Sequence, residues 1–171
     1  MEKEIKILEI DKDEIIQKLE ELWATKTFEG FIHDIYYDYP GQKMDLEGRT
    51  FRVRKKWEEH LYTIKKKEKS ASMKVAHEHE MSITDVESFT RVLEKYGLEK
   101  SREKKKYRFS YSFGNDIHFD LDIYDEIPTL LEIEWPSYLK IKLWIEKLGL
   151  WKHLQKKFGS RGLFKYYGKE Y

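Results

Sequence analysis

Charged side chains alternate with apolar ones along several β-like segments of this 171-residue sequence. In the first segment, MEKEIKILEI, the residues Glu2, Glu4 and Lys6 occupy every second position. Because successive side chains of a strand point to opposite faces, these three share one face, opposite Ile5 and Ile7. The same spacing recurs in the pairs Arg52 and Arg54, Lys65 and Lys67, Glu78 and Glu80, Lys106 and Arg108, Asp120 and Asp122, and Glu132 and Glu134.

The two signs of charge in these rows suit two kinds of ligand. Carboxylate clusters without thiolates suit hard cations that prefer oxygen ligands, such as Mg²⁺ or Mn²⁺. Arginine and lysine suit phosphate, to which arginine can donate two hydrogen bonds at once. Together the rows indicate a site for a metal-complexed polyphosphate. The alternative, from periodicity alone, is an antiparallel sheet whose charged face is simply hydrated.

The alternation and the turn residues predict an antiparallel sheet. Eight antiparallel strands can close into a barrel, which removes the sheet edges and encloses room for one small ligand. Gly114, Asn115 and Asp116 predict a hairpin turn between two of the strands. We therefore expect an α+β fold, an eight-stranded antiparallel closed β-barrel with a charged interior and helices packed outside. The predicted strands lie near 2–10, 31–38, 49–57, 60–68, 74–83, 103–113, 116–124 and 129–135.

Three helices are predicted outside these strands from apolar residues at helical spacing. The stripe of the first helix extends to Trp23, and the third helix follows residues 136–137. No repeat, low-complexity tract or linker divides the chain, so we expect one domain over residues 1–171. The capping boxes are Asp11 with Glu14 and Thr84 with Glu87, and the glycines that end the second and third helices are Gly97 and Gly149.

Composition excludes several classes of protein. The 33 basic and 32 acidic residues leave a net charge of +1, which favours neither nucleic acid nor an anionic membrane as a partner, although the basic run 102–108 is typical of RNA binding. The absence of cysteine excludes disulfides, thiolate metal sites and a cysteine nucleophile. No apolar run approaches the roughly 20 residues of a membrane span, and the start of the chain is acidic, so we expect a soluble cytoplasmic protein.

In their order along the chain, the charged motifs resemble the CYTH superfamily, the triphosphate tunnel metalloenzymes. The segment DIYYD at 34–38 also resembles the D-x-Y-(Y/F)-D segment that follows the first helix in this family. The resemblance spans almost the whole chain. It implies an eight-stranded antiparallel tunnel, in agreement with the predicted barrel. The motifs that carry it are Glu2-x-Glu4-x-Lys6, Arg52-x-Arg54, Lys65, Lys106-x-Arg108, Asp122 and Glu132-x-Glu134.

The resemblance also implies roles for individual residues. The metal, Mg²⁺ or Mn²⁺, would be coordinated by Glu2, Glu4, Glu132 and Glu134, with Asp120 or Asp122 assisting. The triphosphate would be bound by Lys6, Arg52, Arg54, Lys65, Lys106 and Arg108. We add Lys67, Glu78 and Glu80 to the substrate-binding set, the two glutamates as groups that orient the basic side chains.

Catalytic roles are assigned to Lys6, Tyr36 and Lys65. Tyr36 could hydrogen-bond Lys6 and help to order or deprotonate a water molecule. Family members include class IV adenylyl cyclases, thiamine triphosphatases and inorganic triphosphatases. We expect a metal-dependent hydrolase acting on inorganic tripolyphosphate, a nucleoside triphosphate or thiamine triphosphate, because water needs no purine pocket and no residue set can be assigned to adenine.

Two alternatives stay open: a class IV adenylyl cyclase that makes cyclic AMP and pyrophosphate from ATP, and a polyphosphate-binding module without catalysis. The expected partner in each case is a small molecule that contains a triphosphate. We expect a monomer or a homodimer, with no nucleic acid and no membrane as partner.

Three features depart from the family pattern or compete with it. Ala76 stands where many relatives have arginine, and Glu126-Ile127-Pro128 replaces a Gly-Leu-Gly turn. His77 and His79 resemble part of a zinc motif. They share the face opposite the two neighbouring glutamates, with no third ligand nearby, so zinc is disfavoured.

Overall fold

The computed structural model describes residues 2–68, 74–115 and 117–171, except for the side chains of residues 2, 67, 68 and 74–76. Five helices accompany the strands of this part of the chain. The helices are α1 (Lys12–Glu21), α2 (Lys43–Leu46), α3 (Val86–Lys95), α4 (Tyr138–Lys147) and α5 (Ser160–Tyr166). The strands are β1 (Glu2–Leu8), β2 (Thr25–Asp38), β3 (Arg49–Lys56), β4 (Glu59–Glu68), β5 (Lys74–Ile83), β6 (Glu99–Phe113), β7 (Ile117–Ile123), β8 (Leu130–Glu134) and β9 (Gln155–Lys156).

The strands form one antiparallel sheet in the order β5-β4-β3-β2-β6-β7-β8-β1-β9. β1 pairs with β8 and also, over three residue pairs, with β5. The α+β class and the antiparallel sheet are therefore confirmed. β2 and β6 begin before the predicted residues 31 and 103, and they pair with each other along most of their length. Their first halves carry many exposed polar residues, which obscured the strand pattern.

One face of β1, β6, β7 and β8 carries the largest apolar cluster, which α1 and α4 cover. Ile141, Trp144 and Ile145 of α4 are buried in this cluster with Ile7 and Phe119 from the strands. Full burial of a side chain of this kind contributes about 1.5–3 kcal/mol before entropy is subtracted. Because the apolar rows face these helices, the alternating charged rows face the other side of the sheet.

The helix ends agree with the prediction at some positions and differ at others. Asp11 caps α1 by accepting a hydrogen bond of 2.9 Å from the backbone N–H of Glu14, as expected. The cap of α3 is Asp85, bonded to the N–H of Ser88, so the predicted Thr84 cap is wrong by one residue. Trp23 does not belong to the α1 stripe. It follows the helix with φ 63° and is 88% exposed.

The short elements α2, α5 and β9 were not predicted, because four, seven and two residues are too few to show a clear period. α5 buries Leu163 and Phe164 in a second apolar cluster with Leu8, Tyr124 and Leu130. This cluster fixes α5 beside the end of the sheet. No helix in the described part of the chain is long and apolar enough to cross a membrane.

Candidate functional site

A charged cavity of about 330 Å³ lies on the face of the sheet opposite the helix-covered core. The strands β1 to β8 each contribute side chains to it, and residues of α5 line one end. The cavity brings together most of the residues predicted from the sequence. These are Glu4, Lys6, Tyr36, Arg52, Arg54, Lys65, Glu78, Glu80, Lys106, Arg108, Asp120, Glu132 and Glu134.

Of the predicted residues whose side chains the structure describes, only Asp122 does not line it. Asp122 is completely buried behind the cavity wall, where its carboxylate binds Lys106 and Arg108. The side chains of Glu2 and Lys67 lie outside the described part of the structure. Of the two aspartates proposed to assist a metal, only Asp120 therefore faces the cavity.

Carboxylates from β1, β7 and β8 form an acidic wall. Glu4 lies directly opposite Glu134 in the pairing of β1 with β8, and Asp120 lies opposite Glu132 in the pairing of β7 with β8. Side chains that face each other in this way have Cβ atoms about 4.5–5.5 Å apart, and like charges there repel. A cation between them would remove that repulsion.

Lys6 lies within the acidic wall and neutralises part of its negative charge. Its Nζ lies 2.6 Å from Glu4 Oε1 and 2.7 Å from Glu132 Oε1, and its side chain is 2% exposed. Burial alone would lower the pKa of Lys6, but the two glutamates outweigh it and raise the pKa above its ordinary value. Burial likewise opposes ionisation of Glu132, yet Lys6 and Arg108 hold its pKa well below the ordinary value. Both groups are charged at neutral pH.

β2 and β3 supply the first part of a cationic wall. Arg54 donates two hydrogen bonds to Asp34, of 2.6 Å from Nε and 2.9 Å from Nη2. Burial would raise the pKa of Asp34, but Arg54 and Arg52 outweigh it and lower the pKa below the ordinary value. Arg52 donates to Thr63 at 2.9 Å and lies 3.5 Å from Glu78. These contacts hold both guanidinium groups at the cavity surface.

β6 supplies the second part. Lys106 Nζ lies 2.6 Å from Asp122, and Arg108 donates to Asp122 at 2.5 and 2.6 Å. Arg108 also contacts Asp120, and it lies 3.2 Å from Glu132. Burial and the neighbouring Arg108 lower the pKa of Lys106, and Asp122 partly offsets them. Arg108 thus connects the cationic wall to the acidic wall.

Glu78 and Glu80 accept hydrogen bonds from neighbours on β4. Glu78 accepts from Lys65 at 2.6 Å, and Glu80 accepts from Thr63 at 2.9 Å. Burial would raise the pKa of Glu78, but Lys65 and Arg52 outweigh it and lower the pKa. His77 and His79 are exposed on the other face of β5.

The predicted hydrogen bond between Tyr36 and Lys6 is wrong. The Tyr36 hydroxyl lies 2.6 Å from the hydroxyl of Tyr171, while Lys6 is held by its two glutamates. The prediction failed because Tyr171 approaches from the far end of the chain, and its position depends on how α5 packs.

The donor set fits a hard divalent cation. Among the described side chains, no three carboxylate or imidazole groups are gathered closely enough to form a complete metal site. Glu4 and Glu134, opposite each other on β1 and β8, nevertheless offer carboxylate oxygens, the ligands that Mg²⁺ or Mn²⁺ prefers.

Several residues of the cavity were missed at the level of sequence. Asp34 lies within the DIYYD segment but had no assigned role. Arg102, Arg161 and Tyr171 line the end next to α5, where Arg161 contacts Asp45 and lies 3.2 Å from Gln42 Oε1. Neither Arg161 nor Tyr171 belongs to an alternating strand motif, so nothing local marked them.

The fold has relatives among solved structures. The PH1012 protein of Pyrococcus horikoshii aligns with a TM-score of 0.74 and 23% identity, over 89% of this chain and 92% of that one. A candidate adenylate cyclase of Vibrio parahaemolyticus aligns with a TM-score of 0.75 and 18% identity, over 96% and 97%. A candidate adenylyl cyclase of Hippeastrum, described as having a dominant triphosphatase activity, aligns with a TM-score of 0.67 and 15% identity, over 100% and 98%.

Sequence comparison assigns the family. A search of curated proteins finds no match to the chain. The pattern of the CYTH domain, in contrast, matches residues 1–141, which include every strand of the cavity from β1 to β8. With its cavity of opposed acidic and cationic walls, the chain belongs to the CYTH domain family.

Proposed function

We propose that this protein is a divalent-metal-dependent triphosphatase whose substrate binds in the charged cavity. The observation that carries the proposal is the convergence of Arg52, Arg54, Lys65, Lys106 and Arg108 on one cavity that also contains a carboxylate wall. A triphosphate carries several negative charges along a short chain, and a set of fixed cations of this kind is complementary to it.

We also propose that the sheet closes into an eight-stranded barrel around this substrate. The pairing of β1 with β5, which lie at opposite ends of the strand order β5 to β1, supports closure. A closed wall would place the substrate among fixed dipoles and ion pairs and would limit the access of bulk water, which strengthens electrostatic interactions.

Catalysis of phosphoryl transfer depends mainly on positioning and on stabilising charge. Arg52 and Arg54 are held by Thr63 and Asp34, so their donors need little reorganisation when phosphate oxygens arrive. Lys65 is held by Glu78 in the same way. These three residues bind the phosphate chain from the cationic wall, and Lys106 and Arg108 extend that wall along β6.

Glu4 and Glu134 would hold the metal, and oxygens of water and phosphate would complete its ligand set. When bound, Mg²⁺ or Mn²⁺ would neutralise phosphate charge and lower the pKa of a bound water, which supplies the nucleophile. Lys6 stays charged between Glu4 and Glu132 and keeps both carboxylates in position. Its catalytic contribution is to position these groups and to stabilise charge that develops on the phosphates.

A second candidate is adenylyl cyclase activity. It is favoured by the structural likeness to candidate cyclases of Vibrio parahaemolyticus and Hippeastrum, although the latter is described as dominantly a triphosphatase. Both reactions need the triphosphate to be bound in the same way. They differ in the nucleophile, which is water for hydrolysis and the ribose 3′-hydroxyl for cyclisation.

Product identification decides between the two reactions. Tripolyphosphate, ATP and thiamine triphosphate are each incubated with the protein and Mg²⁺ or Mn²⁺. We expect orthophosphate from at least one of them, and loss of that activity in Arg52→Gln, whereas the exposed control Arg91→Gln keeps it. Cyclic AMP with pyrophosphate would establish the cyclase instead. Binding without any product would reduce the proposal to a polyphosphate-binding module.

A further inference from the structure

Arg102 differs from every other described cation that lines the cavity, because it has no carboxylate partner among the described residues. Lys6, Arg52, Arg54, Lys65, Lys106, Arg108 and Arg161 each form at least one ion pair with an aspartate or a glutamate. The contacts of Arg102 are instead with aromatic rings. Its positive charge is therefore uncompensated within the described part of the chain.

Two tyrosines fix the guanidinium of Arg102. Its Cζ lies 4.3 Å from the centre of the Tyr36 ring and 5.4 Å from that of Tyr171. The two rings meet at 62°, and their hydroxyls are 2.6 Å apart. Aromatic faces attract a guanidinium but accept no ordinary hydrogen bonds from its edge. The arrangement therefore orients the group while leaving its N–H donors without strong acceptors.

One of those donors is unsatisfied in the structure. Nε of Arg102 is buried and has no hydrogen-bond partner in the part of the chain that the structure describes, which is uncommon for a polar atom in a folded protein. An uncompensated cation that lines a cavity is suited to an anion, which its terminal amino groups can bind. The anion that this cavity is built to hold is phosphate, because the rest of its cationic wall has the same chemistry.

We propose that Arg102 is an additional phosphate-binding residue, at the end of the cavity that α5 covers. The inference rests on the proposed function, since it assumes that a phosphate chain occupies the cavity. Arg102 lies on β6 four residues before Lys106, a separation of about 13 Å along a strand. In this proposal, Arg102 contacts the phosphate group of the substrate that lies nearest α5, and Lys106 and Arg108 bind the other phosphate groups.

The contacts of Arg102 also give the C-terminal residues a role in the site. Tyr171 supplies one of the two rings, and it reaches the cavity because α5 is anchored by Leu163 and Phe164. Phe164 itself packs against Tyr171, with ring centres 5.1 Å apart. The segment after the family-matched residues 1–141 thereby helps to shape the phosphate site.

The test measures binding of inorganic tripolyphosphate by calorimetry with EDTA present, so that the result depends on side chains alone. We expect Arg102→Gln to raise the dissociation constant at least about tenfold, as for loss of a charged hydrogen bond. Arg102→Lys should restore part of the affinity, because it keeps the charge without the planar fork. The matched control is Lys105→Gln, which removes one charge from the exposed face of the same strand.

A structural role is separated from binding by the thermal midpoint without ligand. Arg102→Gln should change that midpoint little, because the loss of two ring contacts offsets the removal of an unpaired charge, while the rise on adding tripolyphosphate shrinks. Tyr171→Leu should weaken binding less than Arg102→Gln, since the cation remains but is less well oriented.

Two failures can be told apart. If the wild-type protein binds no tripolyphosphate and releases no phosphate from it, the proposed function fails. If the wild type binds and Arg52→Gln weakens binding, but Arg102→Gln binds within twofold of the wild type, the proposed function stands and the inference about Arg102 is overturned.

Discussion

Asp34 and Arg54 face each other across β2 and β3, joined by hydrogen bonds of 2.6 and 2.9 Å. Each is costly to bury alone, and each is acceptable because the other neutralises it. The same logic holds for Lys106 and Arg108 around Asp122. At the residue scale, the charged motifs of the strands are thus pairs, in which buried acids fix the basic groups that face the cavity.

Removing one member of such a pair should destabilise the protein by more than the loss of its buried surface area alone. We expect Arg54→Ala to reduce the free energy of unfolding by about 3–5 kcal/mol, because Asp34 would remain buried without its counter-charge. Urea denaturation at pH 7 measures the change. Lys55→Ala, an exposed neighbour on β3, is the control and should change stability by less than about 0.5 kcal/mol. Similar values for the two variants would contradict the pairing argument.

Asp34 also makes stability depend on pH. Its pKa is lower in the folded protein than the ordinary value of about 3.9, so the folded state favours the ionised form. This contribution is fully present above about pH 4–5 and is lost as the pH falls through the ordinary value towards the folded one. In Asp34→Asn, the unfolding free energy should therefore fall less steeply below pH 5, by up to about 1.4 kcal/mol per pH unit.

Urea titrations between pH 7 and pH 3 measure that slope. The control is Asp13→Asn, which changes an exposed aspartate of α1 and should keep the wild-type slope. An unchanged slope in Asp34→Asn would show that other carboxylates account for acid unfolding.

At the scale of elements, α5 joins the apolar packing to the cavity. Its buried Leu163 and Phe164 lie on one side, and Gly159, Ser160 and Arg161 line the cavity on the other. A helix of seven residues is marginal in isolation, so packing must determine its position. Packing of α5 therefore controls both the end of the cavity and the position of Tyr171.

Truncating the anchor of α5 should consequently affect two properties. We expect Phe164→Ala to cost about 3–5 kcal/mol of stability through the cavity it leaves. It should also weaken tripolyphosphate binding in the variant that remains folded, because Tyr171 loses the ring that supports it. Tyr166→Ala, a half-exposed position on the same helix, is the control. A loss of stability with unchanged affinity would separate α5 from the site.

At the scale of the whole molecule, the two walls meet only because distant strands are brought together. Glu4, Lys65 and Arg108 lie far apart in sequence but line one cavity. These groups converge only in the folded state, so a ligand of this cavity binds the folded protein and not the unfolded chain. Ligands of matching charge should therefore stabilise the entire fold.

This stabilisation can be measured directly. Tripolyphosphate at about one hundred times its dissociation constant should add about 2.7 kcal/mol to the unfolding free energy. Adding Mg²⁺ or Mn²⁺ should raise the thermal midpoint further, and EDTA should reverse that part. The double variant Glu4→Gln/Glu134→Gln should lose the metal-dependent part alone, whereas Glu58→Gln, on an exposed turn, should keep it. A full metal response in the double variant would exclude this acidic wall as the metal site.

The alternating rows of charge, and the chemistry that they could perform, can be read from the amino-acid sequence. Alternation in the segments around Glu4, Arg52 and Glu132 has a period of two. Because this period is local, it identifies the strands and their two faces without tertiary information. The order of the charged motifs also sufficed to identify the family, which the match over residues 1–141 confirmed.

Which charges face the cavity and which are buried behind it depends on contacts between strands, so the sequence did not predict it. Asp120 and Asp122 share one face of β7, yet only Asp120 reaches the cavity, because Lys106 and Arg108 enclose Asp122. The partner of Tyr36 was equally hidden, since Tyr171 is 135 residues away and depends on α5 packing. Contacts of this kind form between segments that are distant in sequence, so the local periodicity of the sequence does not predict them.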